Sequence, residues 1–287
     1  MQLLVQIADF SVLHHAVDTK ITQIGNGSIG AKARGLAFAN HLFSQWKPNE
    51  ASMEIVIPWR VVLSTETLDR LLEENPTLPD GGAQNRELRA RFQSARLPAD
   101  IVRDLEEAIQ SMTRPLAIRS SGILEDSQHL PFAGIYSTYM LPNDHPDPSV
   151  RRAQLVAGIK SVLASTFFQN ARRYLENTPY SIGDERMAVI IQELIGHTRG
   201  NVFYPLISRT TISRKHYAVG GQLSEEGIVN LAFGLGVSLA AGEPGLMFSP
   251  PRPHVLPLYS PSGLSIAGNM TRDCHHSPGK QLRSEWL

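Results

Sequence analysis

The chain has 287 residues, enough for one large or two small domains, and its balance of 42% hydrophobic to 19% charged residues is ordinarily globular. Lys and Arg number 27 and so do Asp and Glu, which excludes broad electrostatic binding of nucleic acid or an anionic membrane but not a local basic pocket. A single cysteine, Cys274, excludes an intrachain disulfide and fits a reducing interior. Met1 to Phe10 has no basic leader region and contains Asp9, and no apolar run reaches membrane-spanning length, so a soluble, cytoplasmic protein is expected.

In chain order, residues 1–20 place Leu4, Ile7, Ala8, Val12 and Leu13 at mixed helical spacing and read as a helical lead-in. Lys20 to Ile24 makes a poor buried strand. Gly25-Asn26-Gly27-Ser28-Ile29-Gly30-Ala31-Lys32 is a glycine loop opening a helix from about Gly30 to Trp46, with Leu36, Ala39, Leu42, Phe43 and Trp46 on one stripe. Short strands are predicted at Ile55–Ile57 and Val61–Leu63 around Pro58. Thr65 is then a candidate N-cap for a helix carrying Leu68, Leu71 and Leu72. Pro76 to Gln84 is a loop, and amphipathic helices follow near Arg86–Ala95 and Ala99–Met112. Leu116, Ala117 and Ile118 form a strand that ends in Arg119, Ser120, Ser121 and Gly122. A second strand sets Ile135, Ser137 and Tyr139 on one face and Tyr136, Thr138 and Met140 on the other.

One long helix is predicted from about Ser149 to Leu175. Met187 to Ile195 is a nearly continuous apolar strand broken by Gln192-Glu193, and strands follow near Asn201–Ile207, His216–Val219 and Gly227–Phe233. The stretch 243–261 is crowded with proline, and the polar end after it shows no period; Cys274-His275-His276 there is a chance cluster rather than a zinc site. Helices mixed with hairpins predict an α+β fold rather than regular βαβ alternation.

Arg119 beside small hydroxyl residues and Gly122 suits an anionic oxygen cluster such as a phosphate; the plain alternative is a surface hairpin with an ordinary arginine. Gly25 to Gly30 spells G-x-G-x-x-G, the dinucleotide fingerprint. That reading needs a buried strand before the loop and an acid ending the next strand, whereas Glu50 and Glu54 precede Ile55–Ile57. A P-loop fails because Ala31 intervenes before Lys32 and Ala33 stands where a hydroxyl is needed. A kinase glycine loop fails because these glycines run into a helix. What survives is the positive end of a helix with Lys32 in its first turn, against the alternative of a solvated lysine.

Together the segments resemble the N-terminal ATP-binding domain of the phosphoenolpyruvate synthase / pyruvate phosphate dikinase family. Ile29-Gly30-Ala31-Lys32-Ala33-Arg34-Gly35-Leu36 looks like its glycine–lysine opening, and Ile57-Pro58 with Val61-Val62-Leu63-Ser64-Thr65 like the strand after it. Leu116-Ala117-Ile118-Arg119-Ser120-Ser121, Glu125-Asp126, Pro131-Phe132-Ala133-Gly134 and Thr138-Tyr139 follow the family's R-S-S…E-D…F-A-G…T-Y signature. Met187 to Gln192 and Gly234-Leu235-Gly236 resemble later motifs, so the likeness covers about Ile24 to Pro257.

The resemblance implies an ATP-grasp fold of two lobes over residues 21–257, with mixed or antiparallel sheets and flanking helices, and a divergent, poorly ordered tail over 258–287. It implies ATP and Mg²⁺ as ligands. Lys32 and Arg119 would hold the phosphates and neutralise the transferring group, with Gly30, Ser120 and Ser121 beside them. Gly134 and Thr138 would lie over the phosphates, and Gln192, Glu193 and Ile195 would line the adenine side. The acceptor would be a histidine on another domain or chain, because no T-x-G-G-x-x-x-H motif and no pyruvate-binding barrel resemble anything here. Ser208-Arg209 departs from the family pattern, and Glu285 is a weak match to its acidic metal ligand, so the metal residues stay unassigned. Two readings follow: a phosphotransferase domain incomplete on its own, or a truncated, inactive nucleotide-binding remnant.

Overall fold

The computed structural model describes residues 8–9, 20–45, 55–79, 82–125, 134–200, 202–214, 223–236, 239 and 245–254. The predicted strand at 216–219, nearly all of the lead-in, and the tail with Cys274, His275, His276 and Glu285 lie outside them. The fold is α+β, with one mixed sheet and two antiparallel sheets. The chain divides into two compact units on either side of Leu194–Ile195.

The first unit is built on a six-stranded sheet in the order β1-β2-β3-β6-β4-β5. Its strands are β1 (Ala8–Asp9), β2 (Ile21–Ile24), β3 (Arg60–Leu63), β4 (Leu116–Gly122), β5 (Thr138–Leu141) and β6 (Met187–Glu193). Strands β1, β2 and β3 pair in parallel, and β6 turns the sheet antiparallel by pairing with both β3 and β4. The central β6 is nearly wholly buried, as its continuous apolar run requires.

Two expectations near the start change. Ala8–Asp9 pairs with β2 as strand rather than helix. The segment Ile21–Ile24 is a real, buried strand; with only four residues it shows no readable period, and its burial comes from neighbours on both sides. Ile55–Ile57 is not a strand: Ile55 and Val56 are exposed ahead of Pro58, which has no N–H to give a ladder.

Pairing register sorts the sheet into two faces. One carries Ile24, Val61, Leu63, Val189, Ile191, Leu116, Ile118 and Leu141 and packs against helices α2 (Glu66–Glu74), α3 (Asn85–Ser94), α4 (Ala99–Ile109), α5 (Pro148–Ser165) and α6 (Gln169–Glu176). Apolar residues at helical spacing drive this packing, with Leu68 and Leu71 of α2, Leu88 and Phe92 of α3, and Ile101 and Leu105 of α4 all buried. Asp147 starts α5 by accepting the Ser149 N–H, ahead of Pro148 in the first turn.

The predicted helix over 149–175 is two helices. Phe167 and Phe168 are both buried at the junction between them. The chain becomes extended at Phe168 and restarts as α6; Phe167 stacks on Phe92 at 5.7 Å, and the Arg89 guanidinium lies 5.4 Å from the Phe168 ring.

The other face is covered by α1 (Gly30–Gln45) over a smaller apolar patch of Ile21, Ile29, Ala33, Ala37, Val62, Ala188 and Ile190. Here the predicted stripe of α1 is corrected. Ala33 and Ala37 face the sheet, whereas Leu42 and Phe43 are exposed. Small side chains let the helix lie close; Leu36 of the predicted stripe packs partly buried against the patch, whereas Phe38, Leu42 and Phe43 are left outside.

In the second unit, β7 (His197–Arg199) and β8 (Val202–Tyr204) form a hairpin. A three-stranded antiparallel sheet joins β9 (Ile207–Ile212), β10 (Ile228–Phe233) and β11 (Leu246–Phe248).

Candidate functional site

The glycine loop joins β2 to α1 and is largely satisfied by the protein itself. Glu66 accepts the Asn26 N–H, Thr65 Oγ1 accepts the Ser28 N–H at 3.2 Å, and Ser28 Oγ accepts the Gly30 N–H at 3.1 Å. Thr65 sits at the cap position of α2 but its hydroxyl makes no cap bond there. A dinucleotide pyrophosphate needs these donors free, and Glu66 already brings a carboxylate to the loop. The buried strand β2 does precede the loop, so the dinucleotide fingerprint fails on these occupied donors and not on a missing strand.

Gly30 has a packing role. Its φ is +75°, and a Cβ there would lie 1.7 Å from the Ser121 carbonyl oxygen. Only glycine lets the first turn of α1 approach β4 so closely. Ser121 completes the junction, its buried Oγ donating to Ile29 O at 2.8 Å and accepting the Ala33 N–H at 3.0 Å. Gly30 and Ser121 therefore hold the frame.

That frame brings Lys32 to the end of β4. Lys32 Nζ donates to Glu125 Oε1 at 2.6 Å and to Ser120 Oγ at 3.3 Å. Ser120 donates to the same carboxylate at 3.0 Å, and the Gly122 N–H reaches its other oxygen at 2.7 Å. Glu125 is almost fully buried while Lys32 keeps 27% of its side chain exposed. A buried carboxylate with three donors is well compensated, and the partly open ammonium can exchange partners.

Behind Glu125 stands Glu185, accepting the Ile123 N–H at 2.8 Å and the Tyr136 O–H at 2.6 Å. Burial pushes the Glu185 carboxyl upward, and the Tyr136 and backbone bonds pull it partly back. Burial and the neighbouring Glu185 push the Tyr136 phenol upward, so it stays a donor. Any side chain at Gly122 would strike the Glu185 carboxylate at 2.7 Å. Glu125 and Glu185 were not among the expected site residues. Glu125 lay within a recognised motif, but nothing local marks it as the partner of a lysine 93 positions away.

Arg119 lies on the α1 face of β4, opposite Ile190 on one side and Thr138 on the other. No ion pair holds it among the described residues. Gln192 is half-buried on the same face, and its Oε1 is buried without a hydrogen-bond partner. Its cross-strand neighbour Arg60 is 7% exposed, with Nε and Nη1 buried and unpartnered. Burial chiefly, then the Arg119 charge, lowers the Arg60 guanidinium below its ordinary value.

The remaining expected residues are placed less tightly. Gly134 is exposed, at φ +77°. Glu193 is buried, and its N–H goes to Trp59 O at 3.1 Å, while the Leu194 N–H goes to Pro115 O at 2.8 Å. Neither donor is left to read a base. Ile195 is exposed and opens the second unit. Among the described residues no group of three or more His, Cys, Asp or Glu side chains is placed to hold a metal ion. Nor is any helix among them long and apolar enough to cross a membrane.

A phosphorylated ligand fits this chemistry, since Arg60 and Arg119 share the α1 face and two Arg60 nitrogens there lack acceptors. The family model for the AMP/ATP-binding domain of pyruvate phosphate dikinase matches residues 27–250, most of the chain.

Proposed function

The chain belongs to the pyruvate phosphate dikinase AMP/ATP-binding domain family, and from that premise we propose that it is an ATP-grasp domain passing a phosphoryl group from Mg-ATP to a histidine on another domain or chain. The observation that carries this reading is Lys32. Its ammonium is held by Ser120 and Glu125 at the end of β4, the strand that also carries Arg119.

In this reading the phosphates compete with Glu125 for Lys32, and Arg119 adds a planar fork from the sheet. Both charges oppose the negative charge that builds on the equatorial oxygens as the phosphoryl group moves in line to the acceptor. Ser120 and Glu125 orient Lys32, while Gly30 and Ser121 hold the backbone that sets its reach. Thr138, directly across from Arg119, and Gly134 are assigned to the phosphate cover. Gln192, Glu193 and Ile195 are assigned to the adenine side, where Gln192 Oε1 is an acceptor awaiting a donor. Magnesium would come as the counter-ion of the nucleotide and spread the phosphate charge.

Calorimetric titration of Mg-ATP into the chain, with NAD as control, tests the binding half. Saturable ATP binding that is lost in Arg119→Ala supports it, and NAD binding in place of ATP overturns it. A separate histidine-bearing domain then tests transfer. Labelled phosphate on that histidine supports the phosphotransferase; ATP binding without transfer leaves a nucleotide-binding remnant.

A further inference from the structure

We propose that Arg60 is an anion-binding residue of this site, placed to take a phosphate oxygen of the nucleotide alongside Arg119, with Gln192 Oε1 accepting a donor from the same ligand. The inference rests on the reading of this face as a nucleotide site, and it adds a residue that the sequence did not mark.

Arg60 is the second residue after Pro58 and begins β3. Its backbone N–H is used by Lys20 O at 2.9 Å, which anchors the strand without involving the side chain. The guanidinium is another matter. Two of its nitrogens are buried with no acceptor, and no ion pair reaches it among the described residues. A buried cation without a partner costs several kcal/mol, and arginine does not escape by giving up its proton. Burial first, and then repulsion from Arg119, lower the Arg60 pKa.

Directly opposite on β6, Gln192 buries an oxygen that also lacks a partner. Donors and acceptor are thus left unsatisfied side by side, and they do not satisfy each other. Ile21 of the apolar patch under α1 pairs directly with Arg60, so the neighbour on that side is apolar and offers the guanidinium no acceptor. A ligand with an anionic oxygen and an N–H or O–H group satisfies both residues at once. A nucleotide has the first in its phosphates and the second in its ribose hydroxyls and base amine. The planar fork of arginine suits a phosphate better than a lysine point charge does.

The test uses the whole chain and its R60M, R60K and R119A variants. ATP, adenosine and pyrophosphate are titrated by calorimetry, and each protein is melted without ligand. R60M is expected to bind ATP at least about tenfold more weakly, to bind adenosine as the wild type does, and to melt no lower than the wild type because a buried unpaired charge is gone. R60K is expected to fall between the two. Wild-type ATP affinity in R60M, beside a loss in R119A, overturns the role of Arg60 and leaves the site reading intact. If R60M does not fold, R60K decides: a partial loss of ATP affinity upholds the proposal and wild-type affinity overturns it. If the wild type binds no ATP, the site reading falls and pyrophosphate decides alone. Stabilisation of the wild type but not of R60M or R60K then upholds the anion site, and equal stabilisation overturns it.

Discussion

The two faces of the six-stranded sheet are made from the same strands, residue by alternate residue, yet they differ in chemistry. The face under α2 to α6 buries Ile118, Val189, Ile191, Leu63 and Leu116 in one continuous core. The α1 face buries a smaller patch and then presents Arg60, Arg119 and Gln192 with polar atoms unmatched or unpaired. One face lowers the free energy of the fold; the other holds charge that the fold alone does not compensate. Unmatched polar groups on an otherwise well-packed sheet are a signature of a ligand surface.

Adjacent residues on β4 give the sharpest way to break that contrast. Ile118→Ala is expected to cost about 3 kcal/mol through the cavity it leaves, read by urea unfolding, with ATP affinity in the surviving folded protein little changed. A loss under about 1 kcal/mol would mean the closed face is not the stabilising one. Lys32→Met should cost about 2 kcal/mol, because Glu125 stays buried with its cation removed, and should also weaken ATP. Full stability in that variant would show that the pair with Glu125 is not maintained in solution.

Arg119→Ala should leave unfolding within about 0.5 kcal/mol of the wild type while lowering ATP affinity by at least about tenfold, more than Lys32→Ala does. Equal, near-wild-type affinity in both variants would remove the site from this face. The smallest expected effect lies outside both faces. Arg70 donates to both Asp100 oxygens at 2.7 and 2.8 Å, and this bond holds the Asp100 carboxyl at about 2. A lowered carboxyl stabilises the fold above its unfolded value near pH 4, and that contribution is lost as pH falls through about 2. The pair is substantially exposed, so Asp100→Asn should cost only about 0.5 kcal/mol at neutral pH. A cost that does not fade towards pH 2 would reject this origin.

Much of the first unit was legible from local pattern. The apolar run of β6, the Arg-Ser-Ser end of β4, the start of α1 at Gly30 and the paired helices α3 and α4 all stand where period and turn chemistry put them. The misses have local causes too. Four residues are too few to show a period in β2, and the break before α6 comes at Phe168, where the backbone turns extended with no glycine or proline to mark it. The expected site fared similarly. Lys32 and Ser120 are brought together and Arg119 follows in the chain, but Gly30 and Ser121 prove to be framing residues.

The sequence by itself determined most elements of the first unit, the family and the cations at positions 32 and 119. These follow from period, glycine placement and short motifs, which act over a few neighbouring residues. Only the tertiary structure decided that Glu125 holds Lys32, that the small face of α1 lies inward, and that Arg60 and Gln192 are left without partners. Burial and pairing join residues distant in the chain, and the cost of an unpaired charge exists only once folding has removed its water.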